Sequence, residues 1–264
     1  MRSKDVSLSN FCLIIEYDGS GFLGWQKQKE GRTVQGVLEE VLERIFKKKI
    51  EVKGQGRMDA GVHALGQVAN FFAPWNHSLS QLKTALNSFL PEDIRIREVK
   101  RVSPSFHSRF SALSRTYIYL LWEGENFPVF LRNYVSRISQ KLNLSLMKKG
   151  AVYLLGRHDF TSFSKKGEEG SKVRTLKEID ISRRKKISLP WGEWRGSFLL
   201  FRFKADAFLH QMVRIIVGTL VEVGRRKIAP ERIREILSSR DRTQAGPTFP
   251  PQGLYLVEVE YEEF

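Results

Sequence analysis

The sequence predicts an α+β fold made of two ferredoxin-like βαββαβ halves, which form a mixed, mainly antiparallel sheet with a central cleft. Two observations predict it. Runs typical of strands alternate with segments of helical period, and the same order of elements occurs twice along 264 residues. The chain is also 41% hydrophobic, which is enough for a sizeable core. Because unrelated proteins share this order, it does not by itself indicate a function.

The first predicted half occupies residues 10–104, after a polar tail at residues 1–9. Its first helix is indicated by a helical period of apolar residues that follows Thr33, the candidate N-cap. Its second helix has Ser78 as its candidate N-cap and ends before Pro91. The strands of this half are predicted at residues 11–17, 50–55, 67–72 and 94–102.

The second predicted half occupies residues 105–264 and follows the same plan. Glycines at 156 and 224 are expected to close its first two helices, and a proline begins a further, inserted helix. These helices are predicted at residues 145–155, 208–223 and 230–238. The strands are predicted at residues 116–122, 176–187, 197–204 and 254–261.

The charge of the chain predicts a polyanionic partner. There are 44 Lys and Arg residues against 29 Asp and Glu, a formal net charge of +15. Nucleic acid and an anionic membrane are the two candidates, and a merely solvated basic surface is the alternative. The longest apolar helix candidate contains His210, Arg214 and Glu222, so we expect no membrane span. Nucleic acid is therefore the expected partner.

Cysteine and histidine usage argues against several kinds of site. The single cysteine, Cys12, excludes an internal disulfide and a thiolate metal cluster, and it fits a reducing cytoplasm. The five histidines lack metal-ligand spacing, so no metal is expected. No Walker A loop or Gly-x-Ser-x-Gly elbow occurs, and the glycine-rich segment 54–59 has Asp59 where a dinucleotide loop needs its third glycine.

That glycine-rich segment is the main candidate site. Asp59 lies two residues after Arg57, and glycines at 54, 56 and 61 allow close backbone approach. A neighbouring cation keeps a carboxylate ionised, and an ionised carboxylate can act as a nucleophile. The local chemistry leaves an alternative open, because Asp and Gly also form ordinary turns.

The segment Gly56–Val68, GRMDAGVHALGQV, resembles the active-site motif G-R-T-D-A-G-V-H-x-x-G-Q-V of the TruA family of tRNA pseudouridine synthases. The resemblance continues in order through nearly the whole chain, which makes it specific. Its further segments are YDGS at 17–20, GWQ at 24–26, LN at 86–87, LPEDI at 90–94, FHSRFSA at 106–112, RTY at 115–117, HDFTSF at 158–163, FLHQMVR at 208–214 and PQGLYL at 251–256. The departure is Met58, where the family usually has Thr, and this puts the orientation and rate of the neighbouring Asp59 in question.

The resemblance implies the pseudouridine synthase fold and a function. Family members isomerise uridine to pseudouridine at positions 38, 39 and 40 of the tRNA anticodon stem-loop. The uracil is cut from its ribose at N1 and rejoined at C5 without net redox change or hydrolysis, so no cofactor or metal is expected. The resemblance also implies a homodimer, and with the composition it predicts a cytoplasmic protein.

The resemblance also implies roles for five residues. Asp59 is the expected nucleophile, attacking the ribose C1′ or the uracil C6, or assisting glycal formation. Tyr117 is expected to stack on the target base and to be a candidate general base. Arg214 is expected to pair with Asp59, Arg57 to fill the space left by the flipped base, and Leu254 to pack on the uracil. The alternatives from residue type alone are core packing for Tyr117 and a structural ion pair for Arg214.

Two basic runs are candidates for contacts with tRNA phosphates, and solvated ends of elements are the alternative. They comprise Arg183, Arg184, Lys185 and Lys186, and then Arg225 and Arg226. Two competing functions remain: a non-catalytic tRNA-binding protein or chaperone of the same fold, and a basic protein of the membrane surface. Retention of Asp59, Tyr117 and Arg214 favours the isomerase.

Overall fold

A computed structural model describes residues 8–167, 169–189 and 192–263, so most of the predicted polar tail lies outside the described residues. Within these ranges the chain forms two compact units. Unit 1 comprises residues 8–113 and 256–263, and unit 2 the described residues from 114 to 255. No helix in the described ranges is long and apolar enough to cross a membrane.

The helices and strands follow one another in the order that the sequence predicts, with additions in unit 2. The strands are β1 Ser9–Tyr17, β2 Lys53–Gly54, β3 His63–Ala73, β4 Ile94–Val102, β5 Ala112–Glu123, β6 Ser136–Ile138, β7 Gly156–Asp159, β8 Val173–Leu189, β9 Gly192–Ala205 and β10 Leu254–Tyr261. The helices are α1 Val34–Phe46, α2 Leu79–Phe89, α3 Leu144–Val152, α4 Met212–Gly224 and α5 Arg232–Ser239.

Unit 1 is a sheet in the order β4-β1-β3-β10, with the short β2 also pairing with β3. β1 pairs antiparallel with both β3 and β4. The two predicted N-caps are confirmed: the Thr33 hydroxyl accepts the Gly36 amide, and Ser78 forms a capping box with Gln81. α1 and α2 each bury leucines completely, as Leu38 and Leu82 illustrate. The helices thus close the core over one face of the sheet.

Unit 2 has the strand order β5-β9-β8-β7, and β6 pairs parallel with β5. The other described pairings are antiparallel, so the α+β class and the mixed, mainly antiparallel pairing are confirmed. α4 is the central helix, with Ile215, Ile216 and Leu220 fully buried. α3 packs on α4 through Met147, whose sulfur lies beside Gly224.

Three predicted elements need correction. The strand predicted at 50–55 is limited to β2, because the backbone of Val52 bonds to side chains of α1: its amide donates to Glu39 (3.3 Å) and its carbonyl accepts from Gln35 (2.9 Å). The helix predicted at 208–223 begins at Met212, because Gln211 is left-handed with φ of 63°. The helix predicted at 145–155 ends at Val152, and the strands β6 and β7 were not predicted.

Candidate active site

Asp59 lies in unit 1 on the loop of residues 55–62 that joins β2 to β3, hereafter the Asp59 loop. Its side chain is half-buried, whereas that of Arg57 is exposed. The carbonyl of Asp59 accepts the amide of Val62 at 3.2 Å, which closes a turn immediately before β3. Asp59 is therefore part of a hydrogen-bonded turn, and a carboxylate in such a turn can act as a nucleophile.

The segment of residues 19–25 pins this loop through the backbone. The amide of Trp25 donates to the carbonyl of Met58 at 3.2 Å, and the amide of Gly61 donates to the carbonyl of Phe22 at 3.3 Å. Gly24 has φ of 100°, and a Cβ there would lie 2.4 Å from the Met58 oxygen. Only glycine fits at this crossing, because both its conformation and its contact exclude a side chain.

A second crossing joins the same two segments. A Cβ on Gly19 would lie 2.1 Å from the carbonyl oxygen of Val62. The amide of Gly19 donates to Nδ1 of the buried His63 at 3.0 Å. The sequence segments 17–26 and 56–68, which the resemblance names separately, are thus parts of one packed structure.

Met58 is the position where the chain departs from the motif that the segment 56–68 otherwise resembles. Its side chain is 8% exposed, and its carbonyl oxygen receives the Trp25 amide. Since any residue supplies that carbonyl, the hydrogen bond does not depend on the departure. The structure does not explain why methionine is preferred to threonine here.

Unit 2 holds Tyr117, Arg214 and Leu254. Tyr117 on β5 is 7% exposed, and its ring meets the ring of Phe208 edge to face at 5.0 Å. It pairs across the strands with Phe203 on β9. A buried tyrosine packed against an aromatic neighbour has a restricted ring plane, which suits stacking and also suits core packing.

Arg214 is in the first turn of α4 and is half-buried. Its Nε donates to the carbonyl of Phe249 at 2.7 Å, and the Phe249 amide donates to the Arg214 carbonyl at 3.1 Å. Arg214 also lies close enough to Tyr119 to act on its phenol, although burial dominates and raises the pKa of Tyr119. The helix and the 247–250 segment thus fix the guanidinium together.

Leu254 is the first residue of β10 and is 6% exposed. It follows the short helical turn Pro251–Gly253, beneath which Tyr119 donates its hydroxyl to the Pro250 carbonyl at 2.7 Å. Residue type alone did not identify Tyr119 or Phe249. The available signal was the position of Tyr119 two residues after Tyr117, which places both side chains on the same face of β5.

The predicted site residues thus fall into two groups. Arg57 and Asp59 share one loop of unit 1, and Tyr117, Arg214 and Leu254 belong to unit 2. The pairing of Arg214 with Asp59 stays a prediction. Among the described residues, no three His, Cys, Asp or Glu side chains are grouped so that they could hold a metal ion.

The residues of the first basic run, on β8, differ in their contacts within the protein. Arg183 makes a two-pronged ion pair with the buried Glu123, Nε to Oε2 at 2.7 Å and Nη2 to Oε1 at 2.9 Å. Although burial opposes ionisation of Glu123, bonds from Arg183, Leu142 and Ser197 hold its pKa below the ordinary value. Arg184 and Lys185 are exposed, and Lys186 pairs with Glu193 at 2.6 Å. Arg183 therefore has a structural role that the sequence did not reveal.

The second basic run follows α4 and is divided in the same way. Arg225 pairs with Glu222 at 2.6 Å, so part of its charge is neutralised within the unit. Arg226 is exposed and has φ of 63°. An exposed cation is the kind that can reach a phosphate, whereas an internally paired one contributes less.

Comparison with known proteins gives a consistent result. A family model described as tRNA pseudouridine synthase matches residues 13–111 and 151–262. Similar curated proteins are named tRNA pseudouridine synthase A. One from Thermodesulfovibrio yellowstonii is 41% identical over 96% of this chain and 99% of its own. One from Thermotoga sp. is 44% identical over the same shares, and one from Oceanobacillus iheyensis is 43% identical over 94% and 95%. A solved Cas6 product complex aligns over 96% of this chain and 99% of its own at a TM-score of 0.20 and 12% identity, values too low to indicate a shared fold.

Proposed function

Because the chain belongs to the tRNA pseudouridine synthase family, we propose that it isomerises uridine to pseudouridine in tRNA, at positions 38, 39 and 40 of the anticodon stem-loop. The observation that carries this proposal is the Asp59 loop, a half-buried carboxylate displayed from a turn that two backbone crossings hold in place. Such rigidity is what a nucleophile needs, because small displacements of a reacting group reduce the rate strongly.

The reaction balances within one nucleotide. The N1–C1′ bond breaks and a C5–C1′ bond forms, while the proton lost from C5 is matched by one gained at N1. Asp59 attacks C1′ or C6 as the nucleophile, or assists glycal formation. Tyr117 stacks on the base and is the candidate for removing the C5 proton.

The remaining roles follow from the same proposal. The target base must leave its stack before the chemistry can occur, and Arg57 occupies the vacated space. Its exposed side chain on the Asp59 loop supports this role. Arg214 keeps Asp59 ionised, and Leu254 packs against the uracil. The two-point attachment of Arg214 to Phe249 supports a positioned guanidinium.

The basic surface supplies affinity for the tRNA backbone. The net charge of +15 supports this, as do the exposed side chains of Arg184, Lys185 and Arg226. Arg183, Lys186 and Arg225 make contacts within the protein and contribute less. Affinity is expected to fall steeply as salt rises.

We also propose a cytoplasmic homodimer. The resemblance implies it, and exposed apolar side chains in unit 2, Val129 at 61% and Phe130 at 68%, offer a surface that a second copy can cover. Light scattering at micromolar concentration should give twice the mass of one chain. A monomer at that concentration would remove this part of the proposal.

The experiment that tests the activity incubates the protein with unmodified tRNA and then maps pseudouridine chemically at single-nucleotide resolution. Pseudouridine is expected at positions 38–40 and nowhere else. A matched tRNA with cytidine at those positions is the control and should stay unmodified. Tight tRNA binding without product would support the alternative, a non-catalytic tRNA-binding protein of the same fold.

A further inference from the structure

A cleft of about 270 Å³ lies entirely within unit 1, beside the Asp59 loop. Its chemistry is set by five side chains, those of Lys53, Arg57, His107, Arg109 and Phe110. Asp59 is not part of its lining. The volume lies near the lower limit for small-ligand pockets, roughly 300–1,000 Å³, so the cleft suits one small group rather than a duplex.

Residues 107–110 form a turn that is held in place by hydrogen bonds of Ser108. Ser108 is fully buried and all of its polar groups are used: its hydroxyl donates to the Lys53 carbonyl (2.6 Å), its amide to Asn70 (2.9 Å), and its carbonyl accepts from Tyr261 (2.6 Å). Neighbouring side chains of this turn reach outward, with Arg109 and Phe110 exposed. Arg109 and Phe110 therefore form an exposed platform whose position is fixed by Ser108.

Phe110 is the main feature of this platform. At 76% it is the most exposed large apolar side chain in the described part of the chain. Its ring centre lies 4.5 Å from that of His107, and the Arg109 guanidinium lies 5.6 Å from it. Aromatic rings and arginine planes arranged in this way are what proteins use to stack unpaired bases of RNA.

His107 lines the cleft and is a candidate hydrogen-bond donor there. Its Nδ1 accepts the Arg109 amide at 3.1 Å, so the proton of the neutral ring is on Nε2. Burial, and then the charges of Lys53 and Arg109, lower the pKa of His107 and so favour its neutral form. A neutral N–H donor suits a base carbonyl or a phosphate oxygen.

The cations of the cleft suit a phosphate. Lys53, Arg57 and Arg109 line it together, and Glu51 is the one acidic side chain among its lining residues. A net positive cleft with an aromatic face fits both parts of a nucleotide, the phosphate and the base.

We propose that this cleft binds one unpaired nucleotide of the RNA substrate other than the target uridine, with its base stacked on Phe110 and its phosphate held by Lys53 and Arg109. The proposal rests on the proposed function, since it deepens the recognition of tRNA. A nucleotide bound here would lie close to the target uridine but not in its place, because Arg57 of the Asp59 loop lines the cleft and Asp59 does not.

The test combines a protein variant with single abasic nucleotides in the tRNA. Phe110→Ala should weaken binding of unmodified tRNA on the order of tenfold, the usual cost of losing one stacked base. One abasic position near the target should weaken wild type by a similar factor and add nothing to Phe110→Ala. Phe89→Ala is the matched control, since Phe89 is also exposed (46%) with an arginine over its ring. Additive losses at every position, or equal binding by the two variants, would overturn the proposal.

A second measurement separates a nucleotide site from a site for phosphate alone. Lys53→Gln should reduce the dependence of log affinity on log salt by about one phosphate contact, and the exposed Lys48→Gln should not. If only Lys53→Gln matters and Phe110→Ala is silent, the cleft holds backbone and the nucleotide proposal is wrong. Both measurements report binding, so they remain readable even if wild type makes no pseudouridine.

Discussion

The Asp59 loop of unit 1 and the Tyr117–Arg214 region of unit 2 are held in place by different means. The loop is fixed by backbone hydrogen bonds and by glycines that permit close crossing. In unit 2, by contrast, Tyr117 and Arg214 are fixed by contacts of their own side chains, with Phe208 and Phe249.

This difference predicts how each region responds to substitution. Where the backbone supplies the contacts, a neighbouring side chain can change while Asp59 keeps its place. Where side chains supply them, the residue type itself determines position. The loop should therefore be sensitive to substitution of the glycines that cross it, Gly19 and Gly24, and tolerant at Met58. Unit 2 should be sensitive at Arg214 even to a substitution that keeps the charge.

Gly24→Ala should have the largest effect among these tests. The new Cβ would lie 2.4 Å from the Met58 oxygen at φ of 100°. We expect a rate loss on the order of a hundredfold and a stability loss of about 2 kcal/mol. Gly156→Ala is the control, with φ of 95° but an ordinary contact at 3.8 Å. Single-turnover assays and thermal melting measure both, and equal effects at the two glycines would contradict backbone pinning.

Arg214→Lys should reduce the rate on the order of tenfold at saturating tRNA, with little change in melting temperature. Lysine keeps the charge but lacks the planar donors that reach the Phe249 carbonyl. Arg202→Lys is the matched control, since Arg202 is also half-buried and its Nε contacts Glu178. Indistinguishable rates for the two variants would show that side-chain geometry at Arg214 is unimportant.

Glu123→Gln should lower the stability of the protein by about 2 kcal/mol at neutral pH, because it removes a buried charge-assisted contact to Arg183. The folded pKa of Glu123 is lowered from 4.5, so its stabilising contribution is present above that value and is lost as pH falls through the folded pKa. Denaturant unfolding of both proteins between pH 3 and 7 tests this. A stability difference that grows as pH falls would contradict it.

Met58→Thr should have the smallest effect. We expect a change in rate below about threefold and a stability loss of about 1 kcal/mol from the smaller buried side chain. Kinetic assays on unmodified tRNA and chemical unfolding give both values. A large gain in rate would mean that the departure from the family's motif limits catalysis.

Local signals allowed much of the fold to be predicted. Thr33 and Ser78 were recognisable as N-caps because a helix start depends on a few adjacent residues. The start of α4 was not predicted, because Gln211 adopts the left-handed conformation and glutamine is not a residue type that indicates one. The three- and four-residue strands β6 and β7 are too short to show a period.

The candidate site also has features that local sequence signals predicted and features that they did not. The glycines around Asp59 indicated a tight turn, and the motif indicated its chemistry. That Trp25 and Gly19 hold this loop depends on contacts between residues 33 and 44 positions apart, which no local pattern contains. The ion pair between Arg183 and Glu123 could not be predicted for the same reason, because 60 residues separate the partners.

The central claim is that Asp59 performs the isomerisation, and one measurement tests it most directly. Asp59→Ala and the exposed control Glu40→Ala are each incubated in excess over unmodified tRNA, and pseudouridine formation is followed in a single turnover. We expect Asp59→Ala to lose at least on the order of a thousandfold in rate while its tRNA affinity stays within about threefold. Product formed by Asp59→Ala at the rate of Glu40→Ala would contradict the claim.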